Sequence, residues 1–327
     1  MSQFIARRRQ NFISEESYKH TLDFYSRDDA KIQQRLEETE PTPGYHASML
    51  EVRALSKWEA FQLKYTGGEP LSKLVRELDE VVAAYEAYAD ENDKKPDSEY
   101  YPPVILNDHI DNYVDYVNLL SVAVLLHRED LIPSIFGLIE GGDFDGADAV
   151  IEELLKFFKP DRPSLDYWIW DQPYRTLLDA IDEEDAENRS KLMKKYVSGW
   201  YKTMKGKATF WGKHEKIEPD FSPYHGYWAM CAGAFCYLYG IEDSSFRDEI
   251  VYPKDLVDFA RSAPRNPVLD ANGDRTLRAV GGDRCPKEGI WFTPAQKQSA
   301  RYFAFGDPMP VIDNSEYGAT IWQWRPS

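Results

Sequence analysis

Residues 224–261 read YHGYWAMCAGAFCYLYGIEDSSFRDEIVYPKDLVDFAR. From Tyr227 to Tyr239 the side chains are apolar, aromatic or small on every face, the pattern of a helix buried inside a larger protein. Its 13 residues fall short of the roughly 20 that cross a bilayer. Gly240 provides the stop expected just past a helix end. Pro253 then stands where a first helical turn tolerates it, opening the amphipathic run Lys254, Asp255, Leu256, Val257, Asp258, Phe259, Ala260. A buried helix joined to a charged one, with no catalytic constellation between them, predicts a structure built to hold shape.

Working outward, the same periodicity predicts further helices. Ser14 and Glu15 are placed to cap a helix over residues 14–40, closed by Pro41, Pro43 and Gly44. A second, over 46–65, carries Met49, Val52, Leu55, Trp58, Phe61 and Leu63 on one broad stripe and ends at Gly67 and Gly68. A third, over 71–90, spaces Leu74, Leu78, Val81, Val82 and Tyr85 at three- and four-residue intervals. A polar, proline-bearing loop fills 92–103. The helix over 106–127 is the expected centre of the first half, with Tyr113, Tyr116, Val117, Leu120, Val124 and Leu125 facing inward. A short helix over 131–140 and further helices over 143–158, 165–181 and 183–204 follow. After Ala263 the spacing of Pro264, Pro267, Gly273, Gly281, Gly282, Pro286, Gly289, Pro294, Gly306, Pro308 and Pro310 forbids long helices. Strands are expected there at 290–293 and 319–324. The fold class read from this is mainly α, a bundle-like helical array with a small irregular β-containing carboxy-terminal module. Its domains fall at 14–130, 145–262 and 263–327.

Composition narrows the partners. The chain has 327 residues, enough for a well-buried core, and 56 acidic against 39 basic residues give a net charge of −17. Such a surface repels nucleic acid and anionic lipid and draws in a basic protein. Cys231, Cys236 and Cys285 form no CxxC pair, so neither a disulfide framework nor a zinc site is expected. The opening MSQFIARRRQNFIS has paired arginines, but Glu15, Glu16, Tyr18 and Lys19 replace the apolar stretch of an export signal, so a cytoplasmic protein is expected.

Three polar groups invite a functional reading. Asp179, Asp182, Glu183, Glu184, Asp185 and Glu187 crowd six carboxylates into nine residues at a helix junction, more mutual repulsion than capping requires. Solvated helix-start carboxylates are the plain account, and a docking face for a cationic partner is the functional one. Asp143, Asp145 and Asp148, followed by Glu152 and Glu153, resemble a calcium loop, but Gly146 comes too early and no glutamate holds the twelfth position. A helix cap with exposed carboxylates, a secondary acidic face, is expected instead. Asp108, His109 and Asp111 are the compact group from which a metal-dependent hydrolytic site would be assembled, the alternative to a binding role. Walker, GxSxG and GxGxxG patterns do not occur, the histidines lack metal spacing, and neither cofactor nor metal is expected.

Tyr227 and Trp228, then Ser245, Phe246, Arg247 and Asp248, then Tyr252, Pro253, Lys254, Asp255 and Leu256 resemble the carboxy-terminal domain of the PoNe immunity proteins, bacterial proteins that neutralise a nuclease toxin. Further on, Arg284, Cys285, Pro286, Gly289, Trp291, Phe292, Thr293, Pro294, Gly306, Met309, Pro310 and the run Tyr317 to Trp322 look like a tail module of immunity proteins that accompany type VI secretion effectors. The first resemblance covers roughly 145–262 and the second roughly 263–327, while 14–130 fit the family's amino-terminal half in pattern. The resemblance implies a role: a cytoplasmic antitoxin, without turnover, that binds a cognate toxin and masks its active site. It implies a protein partner with a basic surface, no nucleic-acid or membrane partner, and room for a homodimer. Which residues touch the toxin is not carried by it, because the matching positions read as core.

Overall fold

The computed structural model describes residues 3–40, 42–96, 101–159, 161–262, 268–269, 275–276, 278–286, 288–293, 296, 299–312 and 320–325. Of the positions read from the sequence, Pro41, Pro264, Pro267, Gly273, Pro294, Tyr317, Gly318 and Ala319 lie outside these. The fold is mainly α. Two compact units make it up, Met1–Ala263 and Pro264–Ser327.

The first unit is helical: α1 (Gln3–Arg7), α2 (Glu15–Glu38), α3 (Pro43–Thr66), α4 (Leu71–Asn92), α5 (Ile110–Leu125), α6 (Ile132–Gly137), α7 (Ala149–Leu155), α8 (Asp171–Asp182), α9 (Ala186–Thr203), α10 (Met230–Leu238) and α11 (Lys254–Ser262). Ser14 caps α2, its hydroxyl accepting the Ser17 amide at 3.0 Å. Helices α2, α3 and α4 pack in sequence as antiparallel neighbours, α8 pairs with α9, and α10 lies against both α5 and α11. Every residue of α5 from Tyr116 to Leu125 is buried, and α10 is buried from Met230 to Cys236. These two apolar helices therefore share the centre, and a polar side chain joins them. Asn118 Nδ2 donates to the Trp228 carbonyl at 3.0 Å while its Oδ1 accepts the Met230 amide at 3.2 Å, tying down one of the unpaired donors at the start of α10.

The paired arginines of the amino terminus are structural. Arg9 spans the Tyr65 and Glu69 carbonyls and the Asp255 carboxylate, with its guanidinium 4.3 Å over the Tyr65 ring. Gln10 beside it is buried with its amide fully used, Nε2 donating to the Tyr227 carbonyl at 2.8 Å and the Ile250 carbonyl at 2.7 Å, and Oε1 accepting the Tyr227 amide at 2.9 Å. The helix expected over 227–239 begins three residues later because Gly226 (φ +126) turns the chain and Ala229 donates to the Val251 carbonyl instead. The helix expected over 165–181 begins at Asp171. Residues 165–170 are held in an extended path instead: the Tyr167 carbonyl accepts the Ala149 amide at the start of α7, and Trp170 Nε1 donates to the Leu106 carbonyl ahead of α5. The α3 stripe divides: Trp58, Phe61 and Leu63 are buried, whereas Val52 and Leu55 are exposed, contrary to the inward face expected of them.

The second unit is a small β module. An antiparallel pair joins β1 (Val268–Leu269) to β2 (Arg275–Thr276). A four-stranded antiparallel sheet follows in the order β3–β6–β4–β5, built from β3 (Arg278–Val280), β4 (Gly289–Phe292), β5 (Arg301–Phe303) and β6 (Ile321–Arg325). Trp291 and Trp322 are fully buried at its centre with Phe303, Cys285 and Met309, and Trp322 Nε1 donates to the Pro310 carbonyl at 2.8 Å.

Candidate functional site

The junction of α8 and α9 gathers the acidic cluster. Asp182 ends α8, and Asp185 is the N-cap of α9, its carboxylate accepting the Asn188 amide at 2.8 Å. Glu183 folds inward: its Oε1 accepts the Asp185 amide at 2.9 Å and its carbonyl accepts two donors from Arg189. Glu187 pairs with Lys191 one turn on. Asp179, Asp182 and Glu184 are exposed and take part in no ion pair among the described residues. The Asp182 carboxyl is pushed above the usual carboxylate range by partial burial and then by Glu153 and Asp179, a shift that Lys156 opposes. Asp185 and Glu183 are thus used at the start of α9 and Glu187 by Lys191, which leaves Asp179, Asp182 and Glu184 as the exposed carboxylates of the junction.

The second acidic group is not a face. Asp148 is buried and caps α7, its Oδ1 accepting the Val150 and Ile151 amides at 3.0 and 3.1 Å and the Tyr113 hydroxyl at 2.8 Å. Its Oδ2 accepts the Ile169 amide at 2.9 Å. Asp145 and Glu152 both receive Arg162, and Glu152 has no solvent exposure. Only Asp143 of the three aspartates stays exposed, because the others hold the 141–148 turn and the 165–170 segment against α7.

The group at the start of α5 also falls apart. Asp111 Oδ1 accepts the Thr209 amide and hydroxyl and the Phe210 amide at 2.7 to 3.2 Å, so this carboxylate anchors the loop after α9. Asp108 and His109 lie in solvent with 3.6 Å between Oδ2 and Nε2. Among the described residues no group of three or more His, Cys, Asp or Glu side chains is arranged to hold a metal ion. The hydrolase alternative has no support in this geometry. Cys231 and Cys236 are buried, and burial pushes both thiols up to about 12, far from a reactive thiolate.

A polar cavity of about 200 Å³ went unseen in the sequence, since α3, α5 and the 223–228 segment each lend part of its wall. Tyr25 Oη donates to Glu59 Oε2 at 2.9 Å and lies 2.6 Å from His225 Nε2. Burial drives His225 down to about 4, so its ring is neutral at pH 7. Because the single Tyr25 proton goes to Glu59, Nε2 of that ring carries the hydrogen given to Tyr25. Across the wall, burial raises Asp115 to about 7, although Trp58 Nε1 at 2.8 Å and Gln62 Nε2 at 3.3 Å both donate to its Oδ1. The nearby charges of Glu59 and Asp111 push it the same way.

Residues 146–256 match the family model described as PoNe immunity proteins (PoNi), C-terminal. That span includes the whole α8–α9 junction and α10. Trp228, Phe246, Tyr252 and Leu256, which carry the resemblance, are all buried. The chain is similar in structure to protein PA2201 from Pseudomonas aeruginosa, with a TM-score of 0.64 and 20% identity over 78% of this chain and 91% of that one. At that identity the likeness bears on the fold. No curated protein matches the chain. Among the described residues no helix is long and apolar enough to cross a membrane.

Proposed function

We propose that this chain, whose residues 146–256 match the model of the PoNe immunity proteins' carboxy-terminal domain, is a cytoplasmic immunity protein that neutralises one cognate toxin by tight stoichiometric binding. The family match is the observation that carries the reading. The toxin is a nuclease delivered by type VI secretion, and the complex masks its active site or substrate channel. Charge supports this target, because an enzyme that holds nucleic acid presents a basic face and this chain carries a net −17. The acidic junction at Asp179, Asp182 and Glu184 meets that face, with carboxylates setting approach rate and selectivity and buried aromatic or arginine anchors on the partner supplying most of the affinity.

Co-expression with the product of the adjacent gene tests the role. Cells making that product alone should die, and this chain should rescue them and co-purify with the product at one to one. A harmless neighbour, or a toxic one that this chain neither binds nor neutralises, sinks the proposal.

A further inference from the structure

Helix α3 carries an apolar stripe that stays partly exposed. Tyr45, Val52 and Leu55 are 39%, 43% and 41% exposed, and with Met49 they recur every three or four residues along one side of the helix. Isolated exposed apolar residues are ordinary, but a helical stripe of them is not.

The stripe borders a groove of about 370 Å³ between α3, α4 and α5, closed on its far side by residues 101–105. Leu55, Tyr88, Tyr101, Pro103 and Leu119 give it an apolar wall. Two side chains fix the closing segment: Asn92 Nδ2 donates to the Tyr101 carbonyl at 2.5 Å, and Asn112 Nδ2 to the Ile105 carbonyl at 3.2 Å. The groove is thus held open by the fold. Glu51 and Asp115 put carboxylates on its lining, with Lys95 also there. Both donors that reach Asp115 converge on Oδ1, so Oδ2 has no protein donor among the described residues.

We infer that this groove and the adjoining α3 stripe are a docking site for a segment of the toxin that presents apolar side chains next to a lysine or arginine. Apolar walls of this size take one or two large side chains, and the carboxylates select a cation beside them. A second copy of this chain fits less well, since each partner would bring the same Glu51 and the same net −17 to the contact. The inference rests on the immunity reading for its partner and adds a place and a chemistry to it.

The product of the adjacent gene is the probe. Two variants alter the groove, compared at pH 8 where Asp115 is ionised: Val52→Glu with Leu55→Glu on the exposed stripe, and Asp115→Asn, which keeps an oxygen for Trp58 and Gln62 and removes the charge. Titration calorimetry should show the stripe variant binding at least about 100-fold more weakly, and Asp115→Asn about 10-fold more weakly, with melting temperatures no lower than that of the unaltered chain. Hydrogen exchange on the unaltered chain should show residues 45–55 and 101–105 protected in the complex. Affinities within twofold for both variants, with no protection at those residues, overturn the groove and leave the immunity reading standing. A dimer of the unaltered chain that the stripe variant splits, with toxin affinity unchanged, assigns the face to a second copy and also overturns it. Failure of the unaltered chain to bind the product removes the immunity reading and this inference with it.

Discussion

Arg162 holds Glu152 with two parallel hydrogen bonds, Nε to Oε2 and Nη2 to Oε1 at 2.6 Å each, and the carboxylate so held is wholly out of solvent. Removing one member of such a pair strands the other charge in the interior, which costs about 3–5 kcal/mol. Arg162→Ala should therefore lower the unfolding free energy in urea by that amount. Adding Glu152→Gln to it should recover part of the loss by removing the stranded charge. Arg162→Lys should fall between, because an ammonium cannot meet both oxygens at once. A loss below about 1 kcal/mol for Arg162→Ala would mean that Glu152 is not buried as described.

Asp115 and His225 oppose each other in their response to pH. Asp115 sits near 7 in the folded chain against about 3.9 unfolded, so the folded state keeps its proton longer and stability falls as pH rises from about 4 to 7. His225 sits near 4 against about 6.5 unfolded, so its contribution is present above about 6.5 and is lost as pH falls toward 4. Asp115→Asn removes the first effect and keeps the acceptor for Trp58. The variant should be more stable than the unaltered chain by about 1–2 kcal/mol at pH 8, a figure reduced for the partial exposure of Asp115, and equal to it near pH 4. Its melting temperature should also fall more steeply between pH 7 and 4, with the His225 effect unopposed. Parallel melting curves across that range would contradict the Asp115 assignment, and an Asp115→Asn curve that stays flat from about pH 6.5 to 4 would contradict that of His225.

Much of this was legible from periodicity. The burial of Leu74, Leu78, Val81, Val82 and Tyr85 in α4, the helix-start role of Ser14 and the all-apolar character of α10 follow from single-residue patterns. What the pattern could not give was which apolar residues find a partner. Val52 and Leu55 share their spacing with the buried Trp58, yet they stay exposed while Trp58 turns inward to donate to Asp115 of α5. Asp148 and Glu152 read as surface carboxylates because Tyr113, Arg162 and Ile169, which satisfy them, lie 10 to 35 residues away. The cavity at Glu59, Asp115 and His225 draws on three distant segments, and no local spacing announces it.

The exposed carboxylates at the α8–α9 junction make a kinetic prediction. Replacing Asp182, Glu183, Glu184 and Asp185 with Ser removes four negative charges, and Ser at 185 keeps a side-chain oxygen for the Asn188 amide, so α9 retains its cap. Association with the product of the adjacent gene should slow by about tenfold at low ionic strength, and the gap should close as salt is raised past the point where the screening length drops under about 8 Å. Stopped-flow traces across a salt series measure this directly. An unchanged association rate would place the toxin contact elsewhere on the chain.

Gly233 tests the central packing. It lies within α10, where alanine is normally the better helix former by about 1 kcal/mol. A methyl group there would stand 2.8 Å from Pro253 Cγ, 3.0 Å from Val257 Cγ2 and 3.3 Å from Leu125 Cδ1, that is, against the α11 start on one side and α5 on the other. Three contacts inside normal van der Waals distance cannot all be relieved by turning one flexible side chain, since a proline ring is among them. The overpacking cost, typically 1–3 kcal/mol, should exceed the gain in helix propensity. Gly233→Ala is thus expected to destabilise the chain, and pairing it with Val257→Ala, which deletes one of the clashing methyls, should restore less than half the loss because Pro253 stays in place. A Gly233→Ala variant more stable than the parent would show that α10 has room to move away from α11, and that the two apolar helices are less tightly seated than the close approach at this glycine implies.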